Sequence, residues 1–334
     1  MTFWLILALM TGAAIFAVIW PLAQNSKAAR SGSDVAVYRD QLNELERDLA
    51  AGSIGKTEAE AARVEISRRL LAAAEAAKAA AVTVEKPGKC PHAFCADLDR
   101  AGDIRVLANV KPNVYWADTM LHELGHGVYD KYIRADVPFL LHESSHAITT
   151  EGIALLFGAL TKNEEWLTQV AGVEPAQAAR VGQAARDSLR TEQLLFTRWT
   201  QVILRFERSM YADPDQDLAK LWADLRQRYQ LLTPPDGPPR PDYAAKVHIL
   251  THPVYYQNYM LGELFASQVR HYVARDVLGL KVAALTSFHG HPEVGTYLRD
   301  KVFGPGDLYM WSDLTQRATG EALTPKYFVE EFVQ

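Results

Sequence analysis

The sequence predicts a mainly α-helical chain in three parts. These are an N-terminal transmembrane helix over residues 1–25, a helical hairpin over 26–82, and a larger helical domain with a short β-sheet over 83–334. Phe3 to Trp20 carries no charged residue, which suits a membrane span. Apolar residues from Tyr38 onward recur at helical spacing. Past Pro87-Gly88 the composition changes and metal-ligating residue types gather at helical spacing.

The N-terminal stretch has Trp4 and Trp20 placed as interfacial aromatics. No Lys or Arg precedes it, which argues against a cleaved signal peptide. Lys27 and Arg30 follow it, so the expectation is a single-pass inner (plasma) membrane protein with its C-terminal domain in the cytoplasm. Next, Tyr38, Leu42, Leu45 and Leu49 form a short coiled-coil-like seam, broken by Gly52-Ser53-Ile54-Gly55. Thr57 with Glu60 reads as a capping box for a second helix that runs into the Ala-rich stretch Leu71–Val82. Such a hairpin is a solvated spacer, or a surface for a coiled-coil partner or for self-association.

The formal charge of -5 gives no reason to expect nucleic acid as partner. Cys90 and Cys95 could join His92 at a metal or bridge to each other. Nothing nearby completes such a site, so two buried thiols in a reducing compartment are expected. Asp103 to Val110 alternates enough for a strand, which leads through Lys111-Pro112-Asn113 into a helix with Asp118 near its start.

That helix carries His122-Glu123-Leu124-Gly125-His126. Residues four apart share a helix face, so both imidazoles can meet one ion while Glu123 reaches a water on it. Two neutral nitrogens, a water and a carboxylate make the minimal hydrolytic zinc unit, which needs one more protein ligand. Glu151, opening the apolar helix Thr149–Phe157, supplies it. A second copy of the pattern, His142-Glu143-Ser144-Ser145-His146, would need Glu164 or Glu165 instead and is read as a decoy. Val173 to Tyr211 is one long amphipathic helix or two, and Gln216 to Leu231 is another. Thr233 to Asp242 is a proline-rich loop. His248 to Tyr259 then gathers two histidines and three tyrosines ahead of the helix Met260–Val277. Tyr hydroxyls and His N–H groups are donors suited to an oxyanion.

These residues carry two resemblances. Residues 1–82 resemble the N-terminal part of the CcmI family of cytochrome c-type biogenesis proteins, through Val37-Tyr38-Arg39-Asp40-Gln41-Leu42, Glu44 to Asp48, Gly52 to Gly55 and Arg68 to Leu71. Residues 83–334 resemble the C-terminal part of angiotensin-converting-enzyme-type peptidyl-dipeptidases, a gluzincin family. The matches are His122 to His126, Thr150 to Ala154, His248 to Tyr259, and a tail from Gly295 through Gly304-Pro305-Gly306 to Glu321. The second resemblance implies zinc on His122, His126 and Glu151, with Glu123 as general base. It implies that His248 and Tyr259 hold the tetrahedral intermediate, with His252 a rival for His248. Tyr256 would bind the substrate's C-terminal carboxylate, and the strand near His92, Ala93 and Phe94 would pair with an oligopeptide backbone.

The chain departs from that family in three ways: Leu155 stands where an acidic residue would orient a zinc-bound histidine, the half of the cleft that precedes these motifs is missing, and the family usually works outside the cytoplasm whereas the charge bias here points inward. The expected function is zinc-dependent release of dipeptides or similar short ends, weakened by the incomplete cleft. The alternatives are a cytochrome c maturation factor and an inactive joined fragment.

Overall fold

The structure, a computed structural model, describes residues 34–50, parts of 53–67, residue 83, and 85–333 except 234–236, 238 and 281–286. The expected membrane span, the capping box at Thr57 and the Ala-rich helix lie outside the described residues. Among the described residues, no helix is long and apolar enough to cross a membrane. The chain divides into two compact units, Met1–Val82 and Thr83–Gln334.

In the first unit, helix α1 spans Asp34–Ala50. Leu42, Leu45 and Leu49 are its half-buried positions, one stripe at helical spacing. Arg63 Nη2 donates to Glu46 Oε1 at 3.0 Å and ties the following segment back to α1.

The second unit opens with an antiparallel hairpin, β1 (Phe94–Asp97) and β2 (Ile104–Leu107), pairing Phe94 with Leu107 and Asp97 with Ile104. Asp97 and Asp99 hold its turn. Asp97 Oδ1 accepts from the Arg100 amide at 3.0 Å, and Asp99 Oδ1 accepts from Ala101 and Asp103. The strand is shorter than the alternation from Asp103 to Val110 suggests. Asn109 leaves it, and its Nδ2 donates to the Cys90 carbonyl at 2.8 Å. Both cysteines are free, Cys90 exposed and Cys95 half-buried, so the expectation of two buried thiols is corrected for Cys90.

Helix α2 runs Val114–Lys131 and starts earlier than Asp118 implied. Asn113 Oδ1 caps it by accepting from the Trp116 amide at 2.9 Å, and Asp118 instead pairs with Lys162 Nζ at 2.7 Å. Helix α3 (Ala147–Gly158) is capped by His146, whose Nδ1 accepts from the Ile148 amide at 3.1 Å. After the short α4 (Glu164–Gln169) comes α5, Pro175–Ala212, one unbroken helix with proline in its first turn. Helix α6 (Leu218–Gln230), capped by Asp217, packs along it. A short α7 (Val247–Thr251) precedes α8 (Gln257–Tyr272), which continues as a wider π-type turn to Val277. Helices α9 (Pro292–Tyr297, widening through Phe303), α10 (Trp311–Thr319) and α11 (Lys326–Phe332) close the chain.

The main core forms where α2, α3 and α8 meet. Tyr129, Ile153, Leu156, Phe265, Val269 and Val302 are there, each no more than 1% exposed. Full burial of such a side chain stabilises by about 1.5–3 kcal/mol. Glycines let these helices approach backbone to backbone. A Cβ at Gly125 on α2 would lie 2.7 Å from Ala154 Cα on α3. One at Gly152 on α3 would lie 2.7 Å from the Gly262 carbonyl on α8. Residues 125 and 152 lie beside His126 and Glu151, so these close approaches set how near those side chains come. A second core joins α5 to α6 through Phe206, Ile203 and Trp222.

Candidate metal centre

α2 turns His122 and His126 toward α3, one helical turn apart. From α3, Glu151 Oε2 stands 3.4 Å from His122 Nε2 and 3.8 Å from His126 Nε2. One ligand atom from each residue lies within 4.8 Å of the other two. Donors around a tetrahedral ion with bonds of about 2.1 Å are separated by roughly 3.4 Å, so the spacing suits a single small cation. Glu151 is 4% exposed, yet its Oε2 is buried with no hydrogen-bond partner, whereas Oε1 accepts from the Tyr255 hydroxyl at 2.5 Å. A buried acceptor left facing two imidazole nitrogens is the environment a cation would complete.

The electrostatics agree. Burial pushes His126 down to about 4, which leaves it a neutral ligand. On His122 the same burial is outweighed by the Glu151 carboxylate 3.4 Å away, and its pKa rises. On Glu151 burial is likewise outweighed by the two histidines, and its pKa falls. Glu123 points into the same space and is 7% exposed. Burial first and the Glu151 charge second push its pKa up, while the Cys95 amide of β1 donates to it. The hairpin therefore holds the general-base candidate through a β1 amide. Cys95 itself is pushed up to about 12, by burial and by the Asp130 and Glu123 charges, so its thiol stays protonated.

α7 and α8 bring His248 and Tyr259 together, His248 Nε2 to Tyr259 Oη at 3.1 Å. Burial, with His252 and His92 nearby, lowers the His248 pKa, and burial with the Glu151 charge raises that of Tyr259. A neutral imidazole thus faces a protonated phenol. His252 is exposed and its Nδ1 lies 2.7 Å from Thr251 Oγ1, so the geometry favours His248.

Other expectations are placed differently. The Tyr256 hydroxyl accepts from Trp199 Nε1 at 2.9 Å, and its ring packs on the second core. His92 and Ala93 lie in the bend before β1, and only Phe94 belongs to the strand. Leu155 packs against the main core. The second HExxH copy is not helical. His146 caps α3, Glu143 Oε2 pairs with Arg100 Nη2 at 2.9 Å, and Ser145 Oγ donates to the Tyr309 carbonyl. Neither Glu164 nor Glu165 enters a metal-competent group among the described residues.

Two residues at the centre had no sequence signal of their own. Thr150 Oγ1 lies 2.6 Å from His126 Nδ1, and Tyr255 reaches Glu151. Only their adjacency to Glu151 and Tyr256 marked the neighbourhood.

Comparison with known proteins gives two unrelated likenesses. Over 74 residues the chain is 68% identical to the cytochrome c-type biogenesis protein CycH of Bradyrhizobium diazoefficiens, covering 22% of this chain and 20% of that one. The family of carboxypeptidase Taq (M32) metallopeptidases matches residues 246–334. Over 235 residues the chain is 24% identical to thermostable carboxypeptidase 1 of Pyrococcus furiosus, covering 63% of this chain and 45% of that one. The M32 carboxypeptidase structure from Deinococcus radiodurans superposes with a TM-score of 0.54 at 21% identity, covering 73% of this chain and 54% of that one. The chain thus spans about half the length of the carboxypeptidases and about a fifth of CycH. These likenesses correct the angiotensin-converting-enzyme-type resemblance: 73% of the chain follows about half of an M32 carboxypeptidase fold, and the described residues include a His-His-Glu cluster.

Proposed function

We propose that residues 83–334 act as a zinc-dependent carboxypeptidase on oligopeptides, releasing single C-terminal residues rather than the dipeptides first expected. The observation that supports this most is the cluster of the half-buried His122 and His126 with the buried Glu151, and with the buried Glu123 beside it. The carboxypeptidase names of the similar proteins support the choice of product. Zinc, when bound, polarises the scissile carbonyl and acidifies a water.

The chain's own residues do the rest. Glu123 takes the proton of the attacking water and returns it to the departing amide nitrogen as the C–N bond breaks. Its burial and raised pKa hold it nearer the operating range than an exposed carboxylate. Tyr259, kept protonated, and His248 are the donors available to the oxyanion. Tyr255 holds Glu151 by Oε1 and so leaves Oε2 to face the ion.

The test is mass spectrometry of peptide digests by the wild type and by Glu123→Gln. Single C-terminal residues should appear, at a rate cut about 10²–10⁴-fold by the substitution. Release of dipeptides would restore the earlier expectation, and equal rates in both proteins would remove the catalytic reading.

A second reading is favoured by the 68% identity to CycH at the other end of the chain. The α1 hairpin, with residues 3–20 as a membrane anchor, would recruit a cytochrome c maturation partner. Co-purification of heme-ligation proteins with the full chain, lost on deleting residues 34–67, would support it.

A further inference from the structure

Among the described residues, no carboxylate hydrogen-bonds to Nδ1 of either histidine, and Leu155 is turned onto the core. A histidine that binds metal through Nε2 must carry its proton on Nδ1, and that proton needs an acceptor to fix both tautomer and ring plane. Within the described residues His126 Nδ1 has one such neighbour, Thr150 Oγ1 at 2.6 Å. Thr150 precedes Glu151 on α3, so a single turn of helix supplies one ligand and the support for another. That turn is itself fixed twice. His146 and Thr149 cap its start, and the close approach of Gly152 to Gly262 sets its distance from α8. On the other side of Glu151, the Tyr255 hydroxyl occupies Oε1 at 2.5 Å and restricts the carboxylate to one free oxygen.

We propose that Thr150 is a positioning residue of the metal centre: its hydroxyl accepts the His126 Nδ1 proton and aims Nε2 at the ion, while the Tyr255 hydroxyl donates to Oε1 of Glu151 and so orients the carboxylate. This rests on the metal-centre reading above and deepens it. It differs from a packing role because the effect must follow the hydroxyl. Valine keeps the shape and the β-branch of threonine and loses the hydroxyl, while serine keeps the hydroxyl and loses a methyl group.

The experiment is competition for Zn²⁺ between a fluorescent chelator and the full metal-free chain, for wild type, Thr150→Val, Thr150→Ser and Tyr255→Phe. Thermal unfolding of each metal-free protein is measured alongside. Thr150→Val should bind zinc about 10–100-fold more weakly at an unchanged metal-free melting temperature, and Thr150→Ser within about threefold of wild type. Tyr255→Phe should weaken binding by a similar factor. In ¹⁵N-labelled wild type with zinc bound, the His126 ring should show a protonated Nδ1 in slow exchange, and in Thr150→Val that signal should broaden. Wild-type affinity in Thr150→Val, or equal loss in Thr150→Ser, would overturn the proposal while leaving the metal centre standing. A wild-type chain that takes up no zinc would overturn both.

Discussion

The chain spells H-E-x-x-H twice, sixteen residues apart by His126 to His142, and the two copies have nothing structural in common. Residues 122–126 lie in mid-helix, where four-residue spacing puts both imidazoles on one face, opposite Glu151. Residues 142–146 lie in an irregular connection, where the same spacing has no such meaning, and His146 spends its Nδ1 on capping α3. The buried Glu123 faces the ligands, while Glu143 is half-exposed and pairs with Arg100. The letters carry metal chemistry only where the backbone period matches them and a third ligand stands across the gap.

The widest separation between the copies should appear on removing one histidine from each. His126→Ala should abolish zinc binding as measured by metal analysis of the purified chain. His146→Ala should keep the metal and cost about 1 kcal/mol of stability through the lost cap, read by denaturant unfolding. Loss of zinc in both would show that the second copy belongs to the centre.

Next in size is a substitution that writes the second copy's residue into the first. Gly125→Ser copies Ser145. Its Cβ would fall 2.7 Å from Ala154 Cα, so α2 and α3 must part. Overpacking of this kind costs about 1–3 kcal/mol, and zinc affinity should fall with it. Unchanged melting and affinity would mean that α2 and α3 do not approach as closely as Gly125 allows.

A smaller effect concerns Asp130, one turn beyond His126. Burial, then Asp97, then Glu143 of the second copy push its carboxyl up to about 6. The unfolded chain therefore ionises first, and stability is lost as pH rises from about 4 through about 6. Asp130→Asn should recover about 2 kcal/mol at pH 7, allowing for solvent screening of a partly exposed group, and nothing below pH 4. Urea unfolding at the two pH values checks the sign. Smallest of all, Glu143→Gln breaks a surface pair with Arg100 and removes one charge that faces Asp130, and it should change stability by less than about 1 kcal/mol.

What could be read from the sequence follows the same division. His122, His126 and Glu151 were legible because ligand spacing on one helix and a carboxylate opening the next are local patterns. His248 and Tyr259 were legible as a dense cluster, and the structure sets them 3.1 Å apart. For Tyr256, helical spacing assigns a face without saying what else meets it, and the structure adds Trp199, 57 residues earlier, as a donor to its hydroxyl. Thr150 and Tyr255 were missed because a hydroxyl acquires its role only from a partner distant in sequence. The start of α2 was placed late because Asp118 looks like a cap, whereas its partner is Lys162.

The buried Oε2 of Glu151, set between two imidazoles, has a bearing on how long the protein lasts in a cell. A ligand that binds the folded chain alone stabilises it by about 2.7 kcal/mol at a hundredfold excess over its Kd. Such a shift lowers the unfolded fraction about a hundredfold, and the unfolded fraction is what chaperones and proteases sample. Metal supply would then govern the abundance of this chain as well as its chemistry, and starvation for the ion would clear it by turnover.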